Sequence, residues 1–269
     1  MALDSEIPLL TTPDKAELYR TALEMLNRTG VPYMVGGTYA FHYYAGIART
    51  TKDVDIFVRQ RDLRRVLDVL TRAGFKTEVP FSHWLAKAFS GDRFIDVIFS
   101  SGNAVAHVDD EWLAHAVDEE VLGVPVKLCP AEEMIWSKAL IMERERFDGA
   151  DVAHLLRHCS GLVNWNRLLN RFGPNWRVLL SHLILFGFIY PGERALIPQH
   201  VLRELINRLV AELDVPTRDS KVCQGTLLSR AQYLVDVDEW GYEDARLVPR
   251  GSMTPEQIAE WTAAIDKAH

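Results

Sequence analysis

The sequence predicts an α+β fold, in which a mixed sheet with flanking helices is followed by a helical domain. Up to residue 129, short apolar segments with the two-residue period of strands are interspersed with segments of helical period. From residue 130 onward nearly every segment has helical period, with breaks at glycine or proline. We therefore predict two domains, residues 1–129 and 130–269.

Helices and strands alternate in the first domain. The helices are expected at residues 13–29, 38–44 and 62–73. The strands are expected at residues 33–35, 54–58, 84–89, 94–99, 119–122 and 124–128. The last two strands flank the turn residue Gly123 and are predicted to form a hairpin, in which Pro125 suits an edge strand or the start of the second strand.

Composition limits the class of protein. Hydrophobic residues make up 48% and charged residues 25% of the chain, which is ordinary for a globular protein with a sizeable core. The formal net charge of −7 argues against binding to nucleic acid through an overall basic surface. The three cysteines have neither metal-binding nor redox spacing, and the N-terminal segment does not read as a signal peptide, so a cytoplasmic protein is expected.

The most apolar segment comprises residues 178–190. It is short for a membrane span and is interrupted by Ser181 and His182. The segment is therefore predicted to be a buried helix, and no contact with a membrane is expected.

Three acidic residues occupy two of the predicted strands. Asp53 and Asp55 are two positions apart, so strand geometry places both carboxylates on the same face. Asp96 lies in a later strand, on the face opposite to its apolar neighbours. Three carboxylates on neighbouring strands would repel one another unless a cation lies among them, and such oxygen ligands suit Mg²⁺ or Mn²⁺. The alternative is a set of solvent-facing acids without a ligand.

A glycine pair precedes these acids in the chain. Gly36 and Gly37 lie between a strand and a helix, where backbone amides can approach a ligand and the helix N-terminus attracts phosphate. Thr38 is expected either to cap that helix or to offer its hydroxyl group to a phosphate. Arg49 and Lys52, just before the acidic strand, could neutralise further phosphate charge. Taken alone, such a glycine pair is usually only a turn.

The order of these segments resembles the signature of nucleotidyltransferases of the polymerase-beta-like superfamily. The segments are MVGGTYAF, RTTKDVDIFV and DRFIDVIFS, which span roughly the first half of the chain. In that family a glycine pair, or Gly-Ser, is followed by a strand with two acids and by a third acidic strand. The resemblance is strongest to bacterial minimal, antibiotic-modifying and toxin-like members. Two departures are that Gly37 stands where many members carry serine, and that the spacing from Gly37 to Asp53 is longer than usual.

The resemblance implies a role for each residue. Asp53 and Asp55 would bind a divalent metal ion, and Asp96 would assist the attacking hydroxyl group or bind a second ion. The residues expected to contact the nucleoside triphosphate are Gly36, Gly37, Thr38, Lys52 and Lys138.

Lys138 is expected on the first helix after the sheet. Met134, Ile141 and Met142 form the predicted apolar stripe of that helix, and Lys138 lies within the stripe. A lysine in such a position needs an anionic partner or a route to solvent. The resemblance implies a triphosphate contact, because related enzymes often carry a lysine on this helix. The alternative is an ion pair with a nearby acid.

The predicted function is the transfer of a nucleoside monophosphate group from a nucleoside triphosphate to a hydroxyl group. The acceptor hydroxyl belongs to a small molecule, a protein or an RNA end. The main alternative is a non-catalytic nucleotide-binding module of the same fold, or one member of a toxin–antitoxin pair with an antitoxin protein as its partner. A metal-dependent phosphodiesterase or nuclease also uses carboxylate clusters, but it would need neither the glycine pair nor Lys138.

Overall fold

The computed structural model describes residues 13–216 and 220–264. The chain divides between residues 130 and 131 into two compact units. The first unit contains a seven-stranded sheet with helices, and the second is helical apart from a two-stranded ladder. The predicted α+β fold, a mixed sheet followed by helices, is therefore confirmed. In the described part of the chain, no helix is long and apolar enough to cross a membrane.

The first unit places its helices around a mixed sheet. Its helices are α1 (Pro13–Thr29), α2 (Gly37–Ala45), α3 (Leu63–Arg72) and α4 (Asp110–Ala114), with a 3₁₀ helix at Gln60–Asp62. Its strands are β1 (Met34–Val35), β2 (Asp53–Phe57), β3 (Lys76–Phe81), β4 (Leu85–Ser90), β5 (Arg93–Ile98), β6 (Val117–Val121) and β7 (Val124–Leu128). The strand order is β3-β4-β5-β2-β1-β7-β6. The pairs β2–β5 and β1–β7 are parallel, and the other neighbours are antiparallel.

The parallel strands β2 and β5 lie side by side in this sheet. Their apolar residues alternate and are buried, namely Val54, Ile56, Ile95 and Val97. Asp55 is the register partner of Asp96, so the two acidic positions share one face of the sheet. The period-two pattern read from the sequence is thus realised in both strands.

Two details of the sheet differ from the prediction. Strand β3 is not among the predicted strands, because its segment KTEVPF begins with three polar residues followed by three apolar ones and so lacks a clear alternation. The predicted hairpin forms, but β7 pairs with both β1 and β6. Pro125 therefore does not lie in an edge strand. It is the second residue of β7, which matches the other predicted position, near the start of the strand.

The second unit is built from seven α-helices in its described residues. They are α5 (Ala131–Ala139), α6 (Gly149–Cys159), α7 (Trp165–Phe172), α8 (Trp176–Ile189), α9 (Gln199–Leu213), α10 (Leu234–Asp238) and α11 (Pro255–Ala263). The 3₁₀ helices lie at Gly173–Asn175, Arg194–Leu196 and Gly225–Leu227, and the parallel ladder pairs β8 (Val222–Cys223) with β9 (Glu243–Asp244). Helix α5 contacts α6, α7 and α8, which places it at the centre of this unit.

Helix α5 carries buried acids that are paired with arginines. The Glu132 carboxylate lies 2.9 Å from Arg167 Nη1, and the fully buried Glu133 carboxylate lies 2.8 Å from Arg171 Nε. Arg167 also pairs with Glu133. Because a buried carboxylate without a counterion is costly, these arginines allow α5 to bury the acids in its first turn.

Two predictions for the second unit are wrong in part. Helix α5 ends at Ala139, so Ile141 and Met142 do not continue its apolar stripe. Residues 178–190 do form a helix over most of their length, but Ile184 and Phe188 are exposed, so burial is confined to part of its circumference.

Candidate active site

The three predicted acids lie together in the first unit. One carboxylate oxygen from each of Asp53, Asp55 and Asp96 lies within 4.8 Å of the other two. Strand β2 presents the first two acids on one face, and the parallel register with β5 sets Asp96 beside Asp55. All three residues are half-buried. Three carboxylates at this spacing are oxygen donors that one Mg²⁺ or Mn²⁺ ion can contact together, so the residues present fit the metal ion that the resemblance implies.

Neighbouring side chains partly offset the repulsion among these acids. Lys87 Nζ lies 2.6 Å from Asp96 Oδ1, and the Thr51 hydroxyl donates a hydrogen bond of 2.7 Å to Asp53 Oδ1. Burial raises the pKa of the Asp96 carboxyl above its usual range, and the Asp53 charge adds to this effect, although Lys87 opposes it. A cation among the carboxylates would favour the ionised form of Asp96.

The sequence did not predict the roles of Lys87 and Thr51. Lys87 is the register partner of Asp96 and the only charged residue in the β4 segment LAKAFS. A single lysine flanked by Ala86 and Ala88 in an otherwise uncharged segment is a signal that sequence reasoning could have used. Its pairing with Asp96 depends on the β4–β5 register, which the sequence pattern does not show.

The glycine pair lies directly against the acidic strand. The Gly36 N–H donates a 2.9 Å hydrogen bond to the Asp55 carbonyl, which ties the turn to β2. Gly37 has a φ of +52°, and a β-carbon added there would lie 1.7 Å from Asp55 Oδ2. A β-carbon at Gly36 would lie 2.3 Å from the ring of Phe57. Both positions therefore require glycine, and at Gly37 the reason includes the close approach of an acidic side chain of the candidate site.

Thr38 follows the glycine pair as the second residue of α2. The helix begins at Gly37 and its N-cap residue is Gly36. The expected capping role of Thr38 is therefore wrong, because its own backbone already lies inside the helix. The residue is half-buried, and the role of its hydroxyl group toward phosphate stays a prediction.

The loop before β2 carries Lys52 and is anchored by Tyr19 of α1. Lys52 is exposed, and its carbonyl accepts a 2.8 Å hydrogen bond from the Tyr19 hydroxyl. Burial raises the pKa of Tyr19 to about 12, and the Asp53 charge adds to the shift. Tyr19 therefore remains a neutral hydrogen-bond donor at physiological pH and fixes the backbone immediately before Asp53.

Lys138 lies in the second unit, on α5. Its Nζ atom is 3.0 Å from Asp148 Oδ2 and 2.8 Å from Asp151 Oδ2. Asp148 also binds Arg146, over 2.8 Å. Burial raises the pKa of Asp148, but Arg146 and Lys138 outweigh burial and hold it below its usual range. These contacts are the ones that the ion-pair alternative predicts, and a contact of Lys138 with triphosphate stays a prediction.

Comparison with known proteins bears on the class of enzyme. The sequence profile of a family described as "Uncharacterised nucleotidyltransferase" matches residues 15–177. No curated protein sequence matches this chain.

The solved structures that match this chain share little sequence with it. The solution structure of the antibiotic-resistance factor ANT(2'')-Ia has a TM-score of 0.46 and 16% identity, and the alignment covers 63% of this chain and 96% of that chain. The lincomycin-bound lincosamide antibiotic adenylyltransferase LnuA has a TM-score of 0.38 and 15% identity, with 54% and 97% covered. An antigenic nucleotidyltransferase-like protein from Paracoccidioides brasiliensis has a TM-score of 0.37 and 15% identity, with 76% and 90% covered. Likeness at this level carries no conclusion about the substrate.

The family match covers more than half of the chain. It includes the glycine pair, the three carboxylates of the sheet and Lys138. The chain therefore belongs to this nucleotidyltransferase family, and it is an enzyme of the class that transfers nucleoside monophosphate groups.

Proposed function

We propose that the enzyme transfers a nucleoside monophosphate group from a nucleoside triphosphate to a hydroxyl acceptor, and that transfer depends on a divalent metal ion. The observation that carries this proposal is the cluster formed by Asp53, Asp55 and Asp96, whose oxygens lie within 4.8 Å of one another. Acids that merely face solvent would not need to lie against a turn where a β-carbon would collide with one of them. The close approach of Gly37 to Asp55 therefore favours a built site over a chance group of acids.

Each acid has a proposed part in the reaction. Asp53 and Asp55 would hold Mg²⁺ or Mn²⁺, and such an ion, when bound, neutralises triphosphate charge and makes the α-phosphorus easier to attack. The acceptor oxygen forms a bond to that phosphorus, and the bond from phosphorus to the bridging oxygen breaks, so pyrophosphate leaves. Asp96 would take the proton of the acceptor hydroxyl or contribute to a second metal site. A carboxylate within 4.8 Å of the oxygens of Asp53 and Asp55 is suited to accept that proton.

The triphosphate would be bound by backbone amides and cations. The N–H groups at the start of α2, near Gly36, Gly37 and Thr38, are suited to phosphate because helix N-termini carry partial positive charge. Lys52 is exposed in the loop before β2 and would neutralise further charge. Lys138 is proposed as a phosphate contact from the resemblance alone, and its pairs with Asp148 and Asp151 compete with that role.

The proposal is tested by label transfer. The protein is incubated with each nucleoside triphosphate carrying an α-³²P label, with Mg²⁺ or Mn²⁺ and a cell extract as the source of acceptor. We expect label in an acceptor only when metal is present, and a loss of at least about a thousandfold in the Asp55→Asn variant. Asp68→Asn is the matched control, because this acid is exposed on α3 of the same unit and should leave transfer unchanged.

The other outcomes separate the alternatives. Triphosphate binding without transfer would support a non-catalytic module, and cleavage of nucleic acid without transfer would support a nuclease. Transfer at full rate in excess chelator would contradict the proposed metal dependence. Treating the labelled product with protease or ribonuclease shows whether the acceptor is a protein, an RNA end or a small molecule. A toxin-like role is tested by growth arrest on expression of the active protein and by copurification of a protein that relieves it.

A further inference from the structure

Helices α8 and α9 both carry large apolar side chains that are exposed to solvent. Both belong to the second unit, where they contact each other and are joined by the Arg177–Glu212 ion pair. Eight large apolar residues on these helices are between 39% and 83% exposed: Ile184, Leu185, Phe188, Ile189, Ile206, Leu209, Val210 and Leu213. We call these eight residues the α8–α9 face.

The α9 part of the face has the pattern of a helix that packs against another surface. Ile206, Leu209, Val210 and Leu213 follow the spacing i, i+3, i+4, i+7, which defines one apolar stripe. The buried residues of α9 all lie in its first half. The stripe therefore does not pack against the core of its own unit. Apolar residues with this spacing normally do pack against a core.

Helix α8 leads to the same conclusion. Between Trp176 and Ile189 its polar side chains are few, and a helix that is apolar on every side is normally buried on every side. Leu183 and Phe186 are buried, whereas Phe188 on another side of the helix is 83% exposed. One side of α8 is thus apolar without cover.

The size of the face matches that of a protein interface. Taking about 180 Å² for a fully exposed large apolar residue, the eight residues present roughly 800 Å². The largest apolar patch on a typical monomer is about 300–600 Å², whereas a stable interface buries about 800 Å² on each partner. The face also lies beyond residue 177, where the family match ends, so membership of the family does not account for it.

The charges around the face distinguish between partners. The charged residues on or directly after these helices are Arg177, Arg203, Glu204, Arg208, Glu212 and Asp214, whose formal charges sum to zero. A surface that binds nucleic acid or anionic lipid needs an excess of lysine and arginine. An apolar face on helices whose formal charges sum to zero suits a partner with the same composition. We propose that the α8–α9 face is the interface of a homodimer, in which two copies pack α8 and α9 against each other about a two-fold axis.

The test measures the oligomeric state of the full chain by sedimentation equilibrium from about 1 to 100 μM protein. We expect the mass of two chains for the wild type. Leu209→Glu and Phe188→Glu each place a charge in the face, and each should raise the dimer dissociation constant by at least about thirtyfold. Leu162→Glu is the matched control, because Leu162 is 73% exposed in the same unit but outside the face, and this variant should remain dimeric.

Folding is checked separately by circular dichroism at a fixed protein concentration. Since the substituted side chains are exposed, the helix content of all variants should equal that of the wild type. A monomeric wild type at the highest concentration would overturn the proposal, as would a dimer that persists in both face variants. Vesicles of phosphatidylcholine and phosphatidylserine serve as a further probe. If the wild type were monomeric and bound these vesicles, and Phe188→Glu abolished that binding, the face would be assigned to a membrane surface instead.

Discussion

Replacing Gly37 by alanine should damage the candidate site through Asp55. The added β-carbon would lie 1.7 Å from Asp55 Oδ2 and 2.7 Å from Asp55 Cγ. Ordinary contact between carbon and another heavy atom is about 3.5 Å, so the carboxylate oxygen has to move by roughly 2 Å. Because a misplacement of about 1 Å at a reacting centre can cost about a hundredfold in rate, we expect nucleotidyl transfer to fall by at least that factor.

The same substitution has a backbone cost that is independent of the clash. Gly37 has a φ of +52°, and placing a residue with a β-carbon in this left-handed region costs about 1–2 kcal/mol. Gly46→Ala isolates that cost, since Gly46 has a φ of +65° at the end of the same helix and no described atom lies within 4 Å of its added β-carbon. Gly46→Ala should therefore lose a similar free energy of unfolding while transfer activity stays within about twofold.

The assays are urea unfolding, Mn²⁺ binding by calorimetry and label transfer, each applied to both variants. A second comparison places Gly37→Ala in an Asp55→Ala background, where the colliding carboxylate is gone and only the backbone cost should remain. If Gly37→Ala bound Mn²⁺ and transferred label within about threefold of the wild type, the turn would serve folding alone and the inferred link to the acid cluster would be wrong.

Further predictions concern the lysines and acids of both units. Lys87→Met removes a counterion of the acid cluster, so the metal-free protein should lose about 1 kcal/mol of unfolding free energy. Mn²⁺ should then raise the melting temperature of this variant more than that of the wild type. An unchanged or smaller shift with Mn²⁺ would contradict this reasoning. Lys138→Met leaves two partly buried carboxylates without this lysine and should cost about 2–3 kcal/mol of unfolding free energy. Lys127→Met is the control. It removes an ion pair between exposed residues and should cost less than about 1 kcal/mol. Calorimetry on the folded Lys138→Met variant tests the phosphate role, which requires triphosphate affinity to fall by about ten- to a hundredfold. Asp148 has a lowered pKa, so its ionised form stabilises the fold above the unfolded pKa of about 3.9, and this contribution is lost as pH falls through the lower folded value. Asp148→Asn should therefore be less stable than the wild type at pH 7 and lose less stability between pH 5 and pH 2, and equal slopes for the two proteins would refute the assignment.

The sequence was sufficient for the local features of the acid cluster. The alternation of Asp53-Val54-Asp55-Ile56 determines which side chains share a face, because successive residues of a strand point to opposite sides. The same reasoning placed Asp96 opposite its apolar neighbours. The order of strand, glycine turn, helix and acidic strand then indicated the family, which the match over residues 15–177 confirms.

Strand register and long-range contacts could not be read in this way. Lys87 reaches Asp96 because β4 and β5 pair with these two residues opposite each other, and pairing between strands depends on packing across the whole sheet. A helix cap was one of the two roles expected for Thr38, but the helix begins earlier, at Gly37. A polar edge strand such as β3 has too little alternation to be recognised before its neighbour is known.

By itself, then, the sequence determined the class of fold, the three acids that share a sheet face and the glycine turn beside them. The fold class and the acids follow from the short-range periodicity of apolar and polar residues, and the turn follows from the backbone freedom of glycine. Only the tertiary structure decided which charges are neutralised and which apolar surfaces are covered. Lys138 is paired with Asp148 and Asp151, and helix α8 has few polar side chains yet is exposed on one side. The partners of Lys138 are only 10 and 13 residues away, but the pairing depends on how α5 packs against α6. Which side of α8 is covered depends on residues from other parts of the chain, and a local sequence pattern does not contain that information.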